Sequence, residues 1–362
     1  MTNSTPDSSS NFTTNPQAMF EAMAAAHRPK FRFEAGQDHA AWRAEALPPV
    51  LATLGKCPEA VPANATLLGE WFHEGLRKQK WVIDVGPGIA ANFLVNYPGD
   101  LAGGETRPAL LCWHGHGKFG KDVVMGDDFS PAKAQEISTL NYNYGHQMAK
   151  AGFVTFAIDW IGGGERNPSN HPHFSDKNHG ADWCQILYMH ATMFGMTSLS
   201  INLAHQRACT DFALTLPGID GSRLGVMGLS GGGTMTLWTA LTDPRFKAAE
   251  IVCYSQLWAD FGIRDCNYCG MQIAPGLYDL VDLPDLQGLL APLPLLVDIG
   301  AFDHGFKIDS SMKCHHRLEE IYTAAGAADK LALDLFAGDH AWGGNKSVDF
   351  FSKWLNEPGL RP

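Results

Sequence analysis

The chain is expected to be an α/β protein with a mostly parallel central sheet flanked by helices on both faces. Short apolar runs, each sized for one buried strand, recur at 109–113, 153–158, 224–227, 248–253, 294–299 and 331–336. Between them lie segments with apolar residues at helical spacing, about 132–150, 195–215, 232–242, 309–325 and 346–356. Near-continuous apolar strands alternating with helices belong to a sheet buried on both faces, because parallel neighbours need crossover helices that cover them. Upstream, 81–85 and 90–97 flank Gly86-Pro87-Gly88 and read as antiparallel strands joined by a turn. Residues 1–16 are polar and read as a disordered tail, leaving 17–362 as one domain. A helical region follows the tail, its apolar material at Ala41-Trp42 and 47–54 broken by Pro48-Pro49. Two insertions, about 160–194 and 254–290, are long for connections and are expected to form a lid or pocket wall over the C-terminal edge of the sheet.

Composition narrows the possible roles. With 45% hydrophobic and 18% charged residues in 362, the chain has globular composition and can bury a sizeable core. A formal net charge of −11 argues against nucleic acid or an anionic membrane as partner. No apolar run approaches the roughly 20 residues of a membrane span. The opening ten residues have neither a basic nor an apolar segment, so no signal peptide is visible and a cytoplasmic location is expected. The 8 cysteines are scattered, and Cys112 and Cys253 sit in strand-like runs as small hydrophobes. Cys266-Asn267-Tyr268-Cys269 has the spacing of a metal-binding pair, but no second pair follows, so no metal is expected. Gly162-Gly163-Gly164 lacks phosphate-loop spacing, and no cofactor is expected. A homo-oligomer is compatible with all of this.

Gly228-Leu229-Ser230-Gly231-Gly232 carries the functional argument through its flanks. The apolar run 224–227 precedes it, and a segment with apolar residues at 235, 237, 238 and 241 follows. Strand, Gly-x-Ser-x-Gly and helix together make a nucleophile elbow, in which a sharp turn exposes a serine hydroxyl at the top of a sheet. The pentapeptide alone is weak evidence, since 38 glycines in one chain make chance matches common.

A serine nucleophile needs a base, and the base needs an orienting acid. Asp303 follows the run 294–299, and His340 follows the run 331–336. Parallel strands would place both loops at the same edge as Ser230. Asp298 and Asp339 are the rival orienters. Asp298 lies within a strand, and Asp339 is adjacent to the histidine and poorly placed to reach its far side. His304, His315 and His316 read as surface or helix-cap residues. The oxyanion donors are expected to be the N–H of Gly231 and, from His114-Gly115-His116-Gly117, that of His116, with Gly117 as second choice. Glu165 or Arg166 is expected to brace the loop that follows Asp159, and His171, His173 and His179 to be solvated. Trp113, Trp160, Trp258, Tyr268 and Trp342 either wall an apolar pocket over the serine or pack the insertions onto the sheet.

On these motifs the chain resembles the α/β-hydrolase superfamily, and within it the bacterial acetyl-xylan-esterase-like and dienelactone-hydrolase-like group. The resemblance runs from about Trp42 to the C-terminus. It rests on His114 to Gly117, Asp159 with the turn 162–166, the elbow, Asn267-Tyr268-Cys269-Gly270 with Pro275-Gly276, Ala291-Pro292-Leu293-Pro294, Asp303 and His340. It implies a cofactor-free serine esterase acting on acetyl-type or small aryl esters, with Ser230 as nucleophile, His340 as base and Asp303 as orienter. Dienelactone hydrolases use a cysteine nucleophile, so the serine points to esters. A peptidase or lactonase on the same scaffold, or a non-catalytic binding protein of this fold, is the alternative.

Overall fold

The computed structural model describes residues 13–171 and 181–356. Its strands are β1 (Thr66–His73), β2 (Leu76–Gly86), β3 (Ile89–Tyr97), β4 (Arg107–Trp113), β5 (Val154–Ile158), β6 (Ile219–Leu229), β7 (Phe246–Val252), β8 (Leu295–Gly300) and β9 (Leu331–Phe336). They form one sheet in the order β1-β2-β3-β5-β4-β6-β7-β8-β9. The first three pair antiparallel, β3 meets β5 antiparallel, and every pair from β5 to β9 is parallel. This is the mostly parallel sheet of an α/β-hydrolase fold. Among the described residues, no helix is long and apolar enough to cross a membrane.

Alternation along the strands divides the core into two faces. Leu111 and Val226 pack on one side with Trp238 and Leu203, while Leu110 and Met227 pack on the other with Phe351 and Trp354. All six residues of β8 are buried, as its unbroken apolar run requires. Each aliphatic side chain buried this way contributes roughly 1.5–3 kcal/mol.

Three local expectations change. Expected helix 132–150 is two helices, Pro131–Leu140 and Tyr144–Lys150, because Asn141 turns left-handed at φ 47° and ends the first. Pro48 and Pro49 do not break the helix His39–Ala52, whose Trp42, Ala46 and Val50 are buried along one stripe. That burial outweighs the backbone bonds that two prolines forfeit late in the helix. β1 was not expected: its residues are exposed or half-buried and lack a continuous apolar run. At the N-terminus a helix starts at Pro16, capped by the Asn15 side chain, and the rest of the expected tail, 1–12, lies outside the described residues.

Strand order positions the functional edge. After β4 the chain adds β5 on one side and then crosses to β6 on the other. Loops leaving β4 and β6 therefore diverge, opening the crevice where open α/β sheets bind ligands. β6 runs into Ser230, held at φ 60° and ψ −117°, and the helix Gly231–Thr242 starts at once. The Ser230 N–H donates to the Val252 carbonyl at 2.8 Å, tying the turn to the end of β7. A Cβ on Gly228 would lie 2.6 Å from the Gly232 carbonyl oxygen and 2.7 Å from that of Trp113. Strand, helix and neighbouring strand thus meet backbone to backbone, and only glycine fits.

Beneath the loops after β8 and β9 lie Glu250, Asp298 and Asp334. Asp298 and Asp334 are register partners on neighbouring strands. Glu250 accepts hydrogen bonds from Trp342 Nε1 at 2.9 Å and Ser347 Oγ at 2.7 Å, anchoring the segment after β9. Burial raises the Glu250 carboxyl from its ordinary 4.5 to about 7. Burial and then the Glu250 and Asp334 charges push Asp298 well above its usual range.

Two predictions follow from this packing. Gly228→Ala is expected to cost about 1–3 kcal/mol in urea unfolding; a change under about 0.5 kcal/mol would show that the backbone contact yields freely. A carboxyl whose pKa rises on folding keeps its proton longer than the unfolded chain does. The contribution of Glu250 is therefore full below its ordinary 4.5 and declines as pH climbs through about 7, and that of Asp298 declines in the same sense. Glu250→Gln should flatten the loss of melting temperature between about pH 5 and pH 8; a parallel loss in the variant would refute the assignment.

Candidate active site

Four strand ends deliver their loops to one cavity of about 620 Å³, bordered by His116 after β4, Ser230 after β6, the segment 304–307 after β8 and His340 after β9. The second insertion supplies the opposite wall through 265–269 and Gln272, while no described residue of 160–194 borders the cavity.

His340 and Asp303 meet in the loops after β9 and β8. Asp303 Oδ2 stands 2.7 Å from His340 Nδ1, and Asp303 Oδ1 accepts the N–H groups of Gly305 and Phe306, each at 2.8 Å. Burial by itself would raise the Asp303 pKa, but the His340 hydrogen bond and the two backbone donors hold it below the ordinary value. Phe306 stacks on the imidazole with ring planes 11° apart, fixing the ring from its other side. Ser230 and His340 border the same cavity, with no hydrogen bond between them. Such bonds commonly tighten only once substrate is bound.

The rival orienters are engaged elsewhere. Asp339 Oδ1 takes the exposed His304 ring at 2.9 Å and the His340 backbone N–H at 2.8 Å. Asp298 is fully buried in the sheet. His316 is exposed, whereas His315 is buried in the helix Ile308–Ala324, contrary to its expected surface position.

The loop after β4 is held from beneath. Asp159 accepts from the Lys121 backbone N–H at 2.8 Å, from Lys121 Nζ at 2.9 Å and from the Glu165 N–H at 3.1 Å, and lies 3.2 Å from His114 Nε2. Burial opposes its charge, but Lys121 and His114 keep its carboxyl well below the usual range. Lys121 also pairs with Glu165, and Arg166 donates to the Asp159 carbonyl at 3.1 Å, so both residues brace the loop. Tyr142 Oη accepts the Gly115 N–H at 2.5 Å. The Gly117 N–H, the second choice for the oxyanion, has no acceptor among the described residues. The N–H groups of His116 and Gly231 have no acceptor among the described residues, and a Cβ on Gly231 would sit 2.9 Å from the His116 ring.

Only Tyr268 of the five expected pocket aromatics borders the cavity. Trp113, Trp160, Trp258 and Trp342 are buried and do not line it. Each indole is committed to packing: Trp113 Nε1 donates to Thr239 Oγ1 at 3.1 Å, Trp160 Nε1 to the His114 carbonyl at 3.0 Å, and Trp342 Nε1 to Glu250. Trp258 sets its ring edge-on to Tyr278. The wall is instead partly polar, with an Asp265–Lys307 ion pair at 3.0 Å. His171 is exposed, and His173 and His179 lie outside the described residues.

Phe306 and Tyr142 were absent from the sequence reading. Phe306 had a local signal, an Asp-x-Gly-Phe turn whose aspartate can collect backbone N–H groups. Tyr142 had none, because its contact depends on a distant loop. Equally unforeseen is Cys269, whose Sγ lies 2.9 Å from His116 Nε2. Hydrogen bonding from Cys184 and His116 holds the Cys269 thiol below its ordinary pKa despite burial. The same sulfur raises the His116 imidazole against the opposing effect of burial.

Comparison with known proteins agrees with this architecture. YtaP of Bacillus subtilis (strain 168), provisionally named a hydrolase, is 26% identical over 260 residues, spanning 68% of this chain and 79% of its own. A protein of Bacteroides fragilis NCTC 9343, provisionally named an acetyl xylan esterase, superposes with a TM-score of 0.71 at 16% identity, covering 92% of this chain and 85% of the other. A glucuronoyl esterase from Solibacter usitatus gives 0.63 at 15% identity over 87% and 93%. Another from Teredinibacter turnerae T7901 gives 0.62 at 16% over 96% and 94%. At these identities the superpositions speak for the fold. A family model matches residues 4–321, and the chain belongs to the Abhydrolase family.

Proposed function

We propose that the protein is a serine carboxylic-ester hydrolase for short acyl or small aryl esters, with Ser230 as nucleophile, His340 as base and Asp303 as orienter. The observation that carries this reading is the 2.7 Å contact of His340 Nδ1 with Asp303, beside a cavity that the ring shares with Ser230. A carboxylate on Nδ1 sets the tautomer that leaves Nε2 free to accept a proton. Ser230 would attack the ester carbonyl as His340 takes its proton, and His340 would then pass that proton to the leaving alcohol. Water repeats the cycle on the acyl-enzyme and frees the acid. The unoccupied N–H groups of Gly231 and His116 support the oxyanion role, since pre-aimed donors at that point are worth about 10²–10³ in rate. The ester relatives, an acetyl xylan esterase by provisional name and glucuronoyl esterases, favour an ester of a small or carbohydrate alcohol.

Ser230→Ala is expected to lower kcat/KM for p-nitrophenyl acetate by at least about 10⁴-fold with an unchanged circular dichroism spectrum. Asp303→Asn should lose about 10⁴-fold through the wrong imidazole tautomer. Full turnover in the alanine variant, or no labelling of Ser230 by a fluorophosphonate, would remove the reading.

A further inference from the structure

A second group of reactive side chains stands at the edge of the same cavity and takes no part in the chemistry above. His116 Nε2, Cys184 Sγ and Cys269 Sγ all lie within 4.8 Å of one another. They come from three separate segments: the loop after β4, the first turn of the helix Trp183–Met193, and the residue preceding the turn Gly270–Gln272. Both thiols are buried and free. We propose that His116, Cys184 and Cys269 form a three-ligand site for a soft divalent metal, zinc by its donor set, on the wall of the cavity.

The donor chemistry selects the ion. Two sulfurs and one imidazole suit zinc and other late transition metals, while magnesium and calcium require oxygen ligands that this group lacks. Zinc bonds of about 2.3 Å to sulfur and 2.0–2.1 Å to nitrogen put tetrahedral ligands roughly 3.6–3.8 Å apart. The present spread meets that requirement once His116 and Cys269 separate from 2.9 Å. Binding would send the Cys184 thiol proton, and the proton that Cys269 shares with His116, to solvent. Two thiolates then balance the metal charge.

Each ligand is already oriented by its surroundings. The His116 ring stands edge-on to Trp160, with centroids 5.2 Å apart. Cys184 is placed by an Asp182 cap that accepts its backbone N–H at 2.9 Å. The Cys269 N–H donates to Gln272 Oε1 at 3.2 Å, and Gln272 reaches Thr234 Oγ1 in the helix after the elbow at 3.3 Å. His116 and Cys269 both border the cavity, so a fourth position would face it, as in sites with three protein ligands and an exchangeable fourth. The metal would clamp the loop after β4 onto the second insertion. Cys266, the partner that C-x-x-C spacing suggests for Cys269, is exposed and turned to the Ile263 carbonyl.

The test is a Co²⁺ and Zn²⁺ titration of the reduced, chelator-stripped full chain under argon. Expected are one metal per chain and a thiolate-to-cobalt charge-transfer band. That band should be retained in Cys266→Ser and in Ser230→Ala, which separates the site from the esterase reading. Cys184→Ser and Cys269→Ser should each weaken binding by at least about 10-fold and shift the band. Absence of metal or band in the wild-type chain overturns the proposal without needing any variant to fold. A band unchanged in both folded serine variants, or a Cys184–Cys269 disulfide persisting in the reduced chain, overturns it equally.

Discussion

The backbone of Ser230 is the constraint around which the rest is arranged. A serine at φ 60° is strained, and such strain persists only where the surroundings over-determine it. Here they do so with main chain. The Ser230 N–H is tied to β7, the glycine before the turn lies under the Trp113 and Gly232 carbonyls, and the helix begins without a spacer. The close approach that forbids a side chain at Gly228 also brings β4 near enough for its following loop to lie over the elbow. The elbow serine and the loop after β4 are thus placed by one backbone contact.

Charge holds the surrounding loops where the backbone cannot. Lys121 and Asp159 under the loop after β4 are almost wholly removed from water, while their partner Glu165 keeps 34% of its side chain exposed. Breaking a buried pair of this kind costs about 3–5 kcal/mol, because the partner stays behind unpaired. Exposed pairs such as His304–Asp339 are worth at most about 1 kcal/mol, and less in salt. Under the loop after β9, Glu250 holds Trp342 and Ser347. One side of the cavity therefore rests on an ion pair and the other on carboxyls whose pKa burial raises, which respond to pH in opposite senses.

The tryptophans explain why the cavity is more polar than a chain rich in aromatics suggests. An indole beside a functional loop lies close in sequence to the chemistry, but its large apolar area is better satisfied under the sheet edge than over it. Four of them are buried, leaving the rim to Asp265, Lys307, His304 and neighbouring residues.

Strand and helix succession was legible in the chain itself because buried parallel strands are apolar along their whole length and helices carry a distinct period. The elbow was legible for a related reason: strand, glycine-framed serine and helix are contiguous, so turn chemistry decides them locally. Chain order also brought Asp303 and His340 to one edge, since parallel strands must end together. Tertiary structure alone decided that Tyr142 reaches the Gly115 N–H and that Cys269 turns from its neighbour Cys266 toward His116 and Cys184. Those pairings join residues dozens of positions apart, and no local propensity or spacing encodes which of several like groups will be nearest once the loops have packed.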